Sequence, residues 1–185
     1  KFNRPYYLSN DHIACISKLT YDITQTVAPE VESSYIPHAV DEEIFKIHHP
    51  EVVAQYRQEK NLEDTCLCFW NSRNARRKQS GTLIWWFKEF LDKVGHDKAT
   101  LIMHTDTKDV HGQDLEAIIH ELGLTDGQVL FSQQKVNSAD LAMMYNMADV
   151  TINISDAEGF GLSALESLSC GTPVIATLTG GLQDQ

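Results

Sequence analysis

From residue 66 onward, short apolar runs alternate with helical patterns, and this alternation constrains the fold more than any other feature. Cys66–Trp70 reads as a strand and Leu83–Val94 as an amphipathic helix ended near Gly95. Thr100–His104 is a strand and Asp114–Leu122 a helix ended by Gly123. Strands follow at Val129–Ser132, Val150–Ile154 and Pro173–Thr177, separated by helices over Ser138–Met147 and Gly161–Cys170. The order predicts an α/β fold, a Rossmann-like and mostly parallel sheet with helices on both faces. Ligands of such sheets bind at the C-terminal ends of the strands. The sequence contains no internal repeat or low-complexity tract.

The first portion is organised differently. Ile13–Ile16 and Tyr35–Val40 read as strands, Leu19–Val27 as a helix, and Glu51–Lys60 as a polar helix. At 185 residues the chain can bury one domain plus a piece of another. A net charge of −11 argues against a general nucleic-acid surface, although local cations can still hold an anion. No apolar run is long enough to span a bilayer, and Lys1-Phe-Asn-Arg-Pro5 lacks a signal-peptide core. Without an initiator methionine, and stopping just after a Gly-Gly turn, the chain reads as a piece of a longer protein.

The four cysteines, Cys15, Cys66, Cys68 and Cys170, read as buried small hydrophobes, with Cys66 and Cys68 on one face of a strand. Neither a tetrahedral Cys/His metal spacing nor a disulfide framework is expected. Trp85-Trp86-Phe87 is expected to pack against the sheet, and His48-His49 to form a surface turn before Pro50. His104 and Asp106 end a strand on the ligand edge and are given no role.

Two turns on that edge carry the chemistry. In the first, Arg73-Asn-Ala-Arg76-Arg77-Lys78 puts four cations into six residues of a chain with fifteen. Arginine forks and a lysine ammonium suit diphosphate oxygens, whereas a bare charge run is usually a solvated loop. The second turn, Ser155-Asp-Ala-Glu158-Gly159-Phe160-Gly161, leads into a helix carrying Glu166, stopped by Gly171 and Pro173. Such a turn exposes backbone N–H groups at a helix N-terminus, and Gly159 and Gly161 allow close approach. An anionic, hydroxyl-rich ligand such as a nucleotide sugar fits. Glu166 is placed about 40° around the helix from Leu162, bordering a Leu162/Leu165/Leu168 apolar stripe, and needs a partner there. Phe160 itself is expected to pack. Two glutamates also suggest a glycoside hydrolase, but eight residues of helix rise span about 12 Å, against roughly 5–9.5 Å for paired hydrolase carboxyls.

Glu158 and Glu166, with Phe160-Gly161, Leu165-Glu166, Gly171-Thr-Pro-Val-Ile-Ala176 and Thr179-Gly-Gly181, resemble the E-x7-E signature of family 4 glycosyltransferases, which have the two-domain GT-B fold. Tyr35-Ile-Pro-His38-Ala-Val-Asp41 resembles the family's interdomain crossing, with Ala39 where glycine is usual. The resemblance implies that residues 1–45 are the tail of an acceptor domain and its crossing. Residues 46–185 are then a donor-binding domain, truncated at its C-terminus. It implies retaining transfer of a sugar from a nucleotide-diphospho-sugar to an unknown acceptor hydroxyl, with no metal or other cofactor, in a cytoplasmic protein.

By position, Arg73 and Lys78 would hold the donor diphosphate, with Arg76 or Arg77 sharing the role. Glu158 would contact the donor sugar, and Glu166 the ribose hydroxyls. Backbone N–H groups of the segment Phe160, Gly161 and Leu162 would meet the sugar and phosphate. Lys135 and Val136, in the loop after Val129–Ser132, would lie against the base. Most of an acceptor domain is absent, so this portion alone is expected to be inactive. Some relatives are peripheral membrane enzymes, which extends the partners of the full-length protein to a membrane surface. The alternatives are a GT-B-fold sugar-nucleotide epimerase and a non-catalytic nucleotide-binding module.

Overall fold

The computed structural model describes residues 3–185. Lys1 and Phe2, the first two residues of the Lys1–Pro5 segment that lacks a signal-peptide core, lie outside the described residues. A short helix α1 (Arg4–Leu8) precedes β1 (His12–Cys15), α2 (Lys18–Val27) and β2 (Glu32–Tyr35), and β1 and β2 pair in parallel as a two-stranded sheet. Then come α3 (Pro50–Glu59), β3 (Cys66–Asn71), α4 (Ser80–Val94), β4 (Ala99–His104), α5 (Leu115–Glu121), β5 (Val129–Ser132), α6 (Ser138–Met147), β6 (Val150–Asn153), α7 (Leu162–Ser169) and β7 (Val174–Ala176). The second sheet is parallel throughout, in the order β5-β4-β3-β6-β7.

Side chains of a strand alternate between faces, and β3 shows why the sheet is covered on both. Cys68 and Trp70 enter one core with Leu83, Ile84, Phe87 and Leu91 of α4 and Leu115 of α5. Leu67 and Phe69 enter the other, with Ala142, Met143 and Tyr145 of α6, and Phe45 packs there too. Among the described residues, no helix is long and apolar enough to cross a membrane.

Four expectations need correction. The strand placed at Tyr35–Val40 lies at Glu32–Tyr35. Ile36 still donates to Cys15 O at 2.8 Å, and the paired register ends there, at Cys15 beside Tyr35. Trp85 and Trp86 are 54% and 52% exposed, and of that aromatic trio only Phe87 is buried. Consecutive helical residues stand about 100° apart, so three in a row cannot share one face. Cys66 is exposed at the start of β3, while Cys15, Cys68 and Cys170 are buried as expected. Burial, then the neighbouring Cys66, pushes the Cys68 thiol up to about 12, so it stays protonated. The apolar face expected on α7 is also displaced, its buried positions being Ala164 and Ser167.

Candidate functional site

The sheet order changes direction between β3 and β6. The chain leaves β3 through α4 toward β4, and leaves β6 through α7 toward β7 on the other side. The crevice outside the carboxyl ends of two such strands is where ligands of open α/β sheets bind. The two loops picked out from the sequence are those that follow β3 and β6, and they are tied together. Asp156 N donates to Arg77 O at 2.8 Å, Gln79 Nε2 donates to Asp156 Oδ2 at 2.6 Å, and the Arg77 guanidinium donates to Ala157 O at 2.6 Å. A 3-10 turn over Arg76–Lys78 brings Lys78 inward, and Gln79 adopts a left-handed φ of 58° to start α4.

Lys78 and Glu158 form an ion pair at the floor of this crevice, with side chains only 10% and 7% exposed. Asn153 Nδ2 donates to the same Glu158 oxygen at 3.2 Å, and Ser155 Oγ lies 3.1 Å from it. Arg77 approaches the other oxygen at 3.4 Å. Burial alone would push this carboxyl up. The Lys78 ammonium and the two neutral donors outweigh it and hold Glu158 below the usual glutamate value. Glu158 is therefore ionised, matched and fixed.

The N-terminus of α7 opens beside this pair. Its N-cap is Gly161, at φ 90° and with no capping side chain. Among the described residues, the N–H groups of Phe160, Gly161 and Leu162 find no protein acceptor. Unsatisfied donors at a helix start, together with the helix dipole, favour an anion. Phe160 is buried and meets the His38 ring edge-on at 5.3 Å, so it packs as expected. The loop is backed by a 3-10 turn at Gly180–Asp184. Any side chain at Gly180 would overlap Glu158 O, and one at Gly181 would overlap Gly159 O. Asp184 Oδ2 in turn accepts from Lys18 N, at the start of α2, at 2.7 Å.

The apolar stripe expected on α7 does not face the core. Leu162 and Leu168 are exposed, and the buried positions are Ala164 and Ser167. Close packing onto β6 favours small residues, and Ser167 Oγ bonds there with Thr151 Oγ1 at 2.8 Å and Thr172 O at 3.0 Å. Glu166 nevertheless has the partner its position requires. Tyr145 Oη donates to Glu166 Oε2 at 2.6 Å, and Asn71 Nδ2 donates to Tyr145 Oη at 2.9 Å. Burial pushes the Glu166 carboxyl up, and the tyrosine hydrogen bond only partly offsets this.

The remaining predicted residues sit further from the Lys78–Glu158 pair. Arg73 is 61% exposed and gives a fork to Asp109, at 2.6 and 3.1 Å. The Arg73 bonds, followed by the His111 N–H, hold the Asp109 carboxyl at about 2. Arg76 is exposed, and its side chain makes no hydrogen bond among the described residues. Lys135 is exposed in the loop after β5, three strands from β6, or about 14 Å at about 4.8 Å per strand. Val136 lines a cavity of about 620 Å³ with Phe131, Gln133 and Met144. Lys78, Arg77, Glu158 and the α7 N-terminus thus come together, Glu166 reaches the edge through its own partners, and Lys135 and Val136 stand apart.

Sequence reasoning missed Asn71, Tyr145, Asn74 and Asp109. Asn74 is fully buried. Its Nδ2 donates to Gln113 O at 2.7 Å, and its Oδ1 accepts from Ser80 Oγ at 2.8 Å, which fixes the basic loop against the loop after β4. An asparagine inside a charge run was the one local signal for it. The others act across intervals that no spacing rule links.

Residues 54–185 match the family described as glycosyl transferases group 1. The chain belongs to this family. D-inositol 3-phosphate glycosyltransferase of Arthrobacter sp. is 45% identical over 69 residues, covering 37% of this chain and 16% of that protein. Sucrose-phosphate synthase from Thermosynechococcus elongatus superposes with a TM-score of 0.82 at 26% identity, over 98% of this chain and 44% of that one. HepE of Anabaena, solved with UDP and glucose, superposes with a TM-score of 0.78 at 20% identity, over 94% and 46%. The match spans less than half the length of each of these relatives. The fold is that of GT-B glycosyltransferases.

Proposed function

We propose that this chain is the donor-binding part of a retaining glycosyltransferase of the E-x7-E type, taking a nucleoside-diphospho-sugar and passing the sugar to an acceptor hydroxyl. The observation that carries this reading is the buried Lys78–Glu158 pair at the switch point, beside the open N-terminus of α7. Lys78 and Arg77, with the N–H groups of Phe160 to Leu162, surround a place for the diphosphate. There they stabilise the charge that builds on the leaving group. Glu158 presents its carboxylate to the sugar hydroxyls, and Glu166 accepts from the ribose. Arg73 joins the diphosphate through the guanidinium N–H groups that Asp109 leaves free.

The acceptor-side residues belong to the rest of a GT-B protein, and residues 1–45 are the end of that half and its crossing. No side chain of this portion is a general base for the acceptor, and without the rest it transfers no sugar, because the acceptor is not held in attacking geometry. Glucose and UDP, seen together in HepE, support UDP-glucose as the first donor to test. Calorimetry of the chain with UDP-, GDP- and ADP-sugars tests the reading. One of them binds, and inorganic diphosphate competes. Absence of binding by all three overturns it.

A further inference from the structure

Tyr145 is fully buried in α6, between the edges of Phe69 and Phe45, with ring centroids 5.1 and 6.3 Å away. Only its hydroxyl reaches toward the ligand edge, and both capacities of that hydroxyl are used. Asn71, the last residue of β3, donates into the oxygen from one side. The hydroxyl proton is then directed at Glu166 Oε2, 2.6 Å away. Burial keeps the phenol protonated, so the bond has one direction. Among the described residues, Glu166 Oε1 has no donor. One carboxylate oxygen is thus committed to the protein and the other is left for a ligand.

We propose that Tyr145, aligned by Asn71, is the positioning residue that turns Glu166 into a selective acceptor for the vicinal ribose hydroxyls of the bound nucleotide. This rests on the donor-site reading above. A half-buried glutamate on a helix has three rotatable bonds, and without the tyrosine the carboxylate can swing toward solvent, where its charge is better hydrated. A hydrogen bond to a charged group is strong enough to hold one rotamer. The asparagine matters because a hydroxyl can rotate. An incoming N–H occupies its lone pair and leaves the proton one place to go. Tyr145 touches no substrate in this arrangement. It acts on affinity and discrimination through Glu166.

The test compares UDP with 2′,3′-dideoxy-UDP by calorimetry, on wild type, Tyr145→Phe, Asn71→Ser and Glu166→Gln. Wild type should prefer UDP. Tyr145→Phe, which keeps the ring and its packing, should weaken UDP about tenfold and leave dideoxy-UDP unchanged, since one charge-assisted bond is lost. Asn71→Ser should give a smaller loss with the same selectivity, and it carries the test if Tyr145→Phe does not fold. Equal losses for both nucleotides mean a general structural defect and overturn the proposal. So does full UDP affinity in Tyr145→Phe when Glu166→Gln has lost it, and in that case the donor-site reading stands. If UDP, GDP and ADP all fail to bind wild type, the donor-site reading falls and this inference falls with it.

Discussion

Glu158 and Glu166 stand eight positions apart on the same loop-helix unit, are both at least half-buried, and are treated in opposite ways. Glu158 faces Lys78 and two neutral donors, and its carboxyl is held below the usual value. Glu166 faces a tyrosine hydroxyl and, among the described residues, no cation, and burial pushes it up. Two glutamates of one motif need not do the same work. The one paired to a cation keeps its charge whether or not a ligand is present. The other is under-solvated and gains most when hydroxyl donors arrive.

Breaking the matched side should have the largest effect. Lys78→Met leaves a buried carboxylate without its cation, and chemical denaturation at pH 7 should show a loss of about 3–5 kcal/mol. Adding Glu158→Gln to that variant removes the orphaned charge, so the double variant should recover part of the loss. If the double variant is no more stable than Lys78→Met, the pair is not the source of the penalty.

Next in size is the division of labour. Glu166→Gln should weaken UDP about tenfold, with or without an attached sugar, on the scale of one charge-assisted bond. Glu158→Gln should weaken UDP-glucose while sparing UDP. Calorimetry with both ligands decides, and equal losses in both variants would remove the contrast.

The pH dependence separates the two carboxylates more finely, and the signs differ. Glu158 is depressed, so its contribution to stability is present above the ordinary glutamate value of 4.5 and is lost as pH falls through its lower folded value. Glu166 is raised, so the folded protein favours its protonated form, and stability declines as pH rises from 4.5 through the raised value. Denaturation midpoints from pH 3 to 7 should therefore show Glu158→Gln flattening the acid side. Glu166→Gln should gain relative to wild type as pH climbs past 4.5. Curves that move the same way in both variants would contradict the opposite environments.

The smallest effect belongs to Arg73, the exposed partner in the Arg73–Asp109 fork. Arg73→Lys keeps the charge and loses the fork, and it should lower UDP affinity by about threefold with little change in denaturation midpoint. That loss should shrink further in high salt, because the site is open to screening. A loss as large as that of Glu166→Gln would place Arg73 at the centre of the site.

The sheet was legible because strand-helix alternation is a local property repeated many times. Val129–Ser132 and Ser138–Met147 were placed to the residue, and the ends at Gly161 and Cys170 were off only by their caps. What escaped was set by tertiary contact. The polar residues Glu32 to Ser34 form a strand because Cys15 and its neighbours lie alongside, and α4 begins three residues early because Gln79 can take a left-handed turn. Leu162 and Leu168 look like core residues in a periodic pattern, yet Ala164 and Ser167 are buried because α7 lies close against the sheet. The cation-rich loop and the Glu158 turn were visible as neighbours on one edge. Which cation meets Glu158, and that Tyr145 and Asn71 hold Glu166, depends on contacts across 80, 21 and 74 positions, beyond any motif.

The glycine pair at 180 and 181 makes its own demand on how this chain can vary. Gly123 and Gly127 border open space, so a left-handed asparagine can replace either one at small cost. At 180 and 181 the backbone itself sets the thickness of the layer between the Glu158 loop and the start of α2, and even one methyl group would wedge it apart. A substitution there is far from Glu158 in sequence, yet it would disturb the Glu158 loop directly. Surveys of tolerated changes along this chain should therefore find an island of strict intolerance at Gly180 and Gly181, separated from the loop that they support.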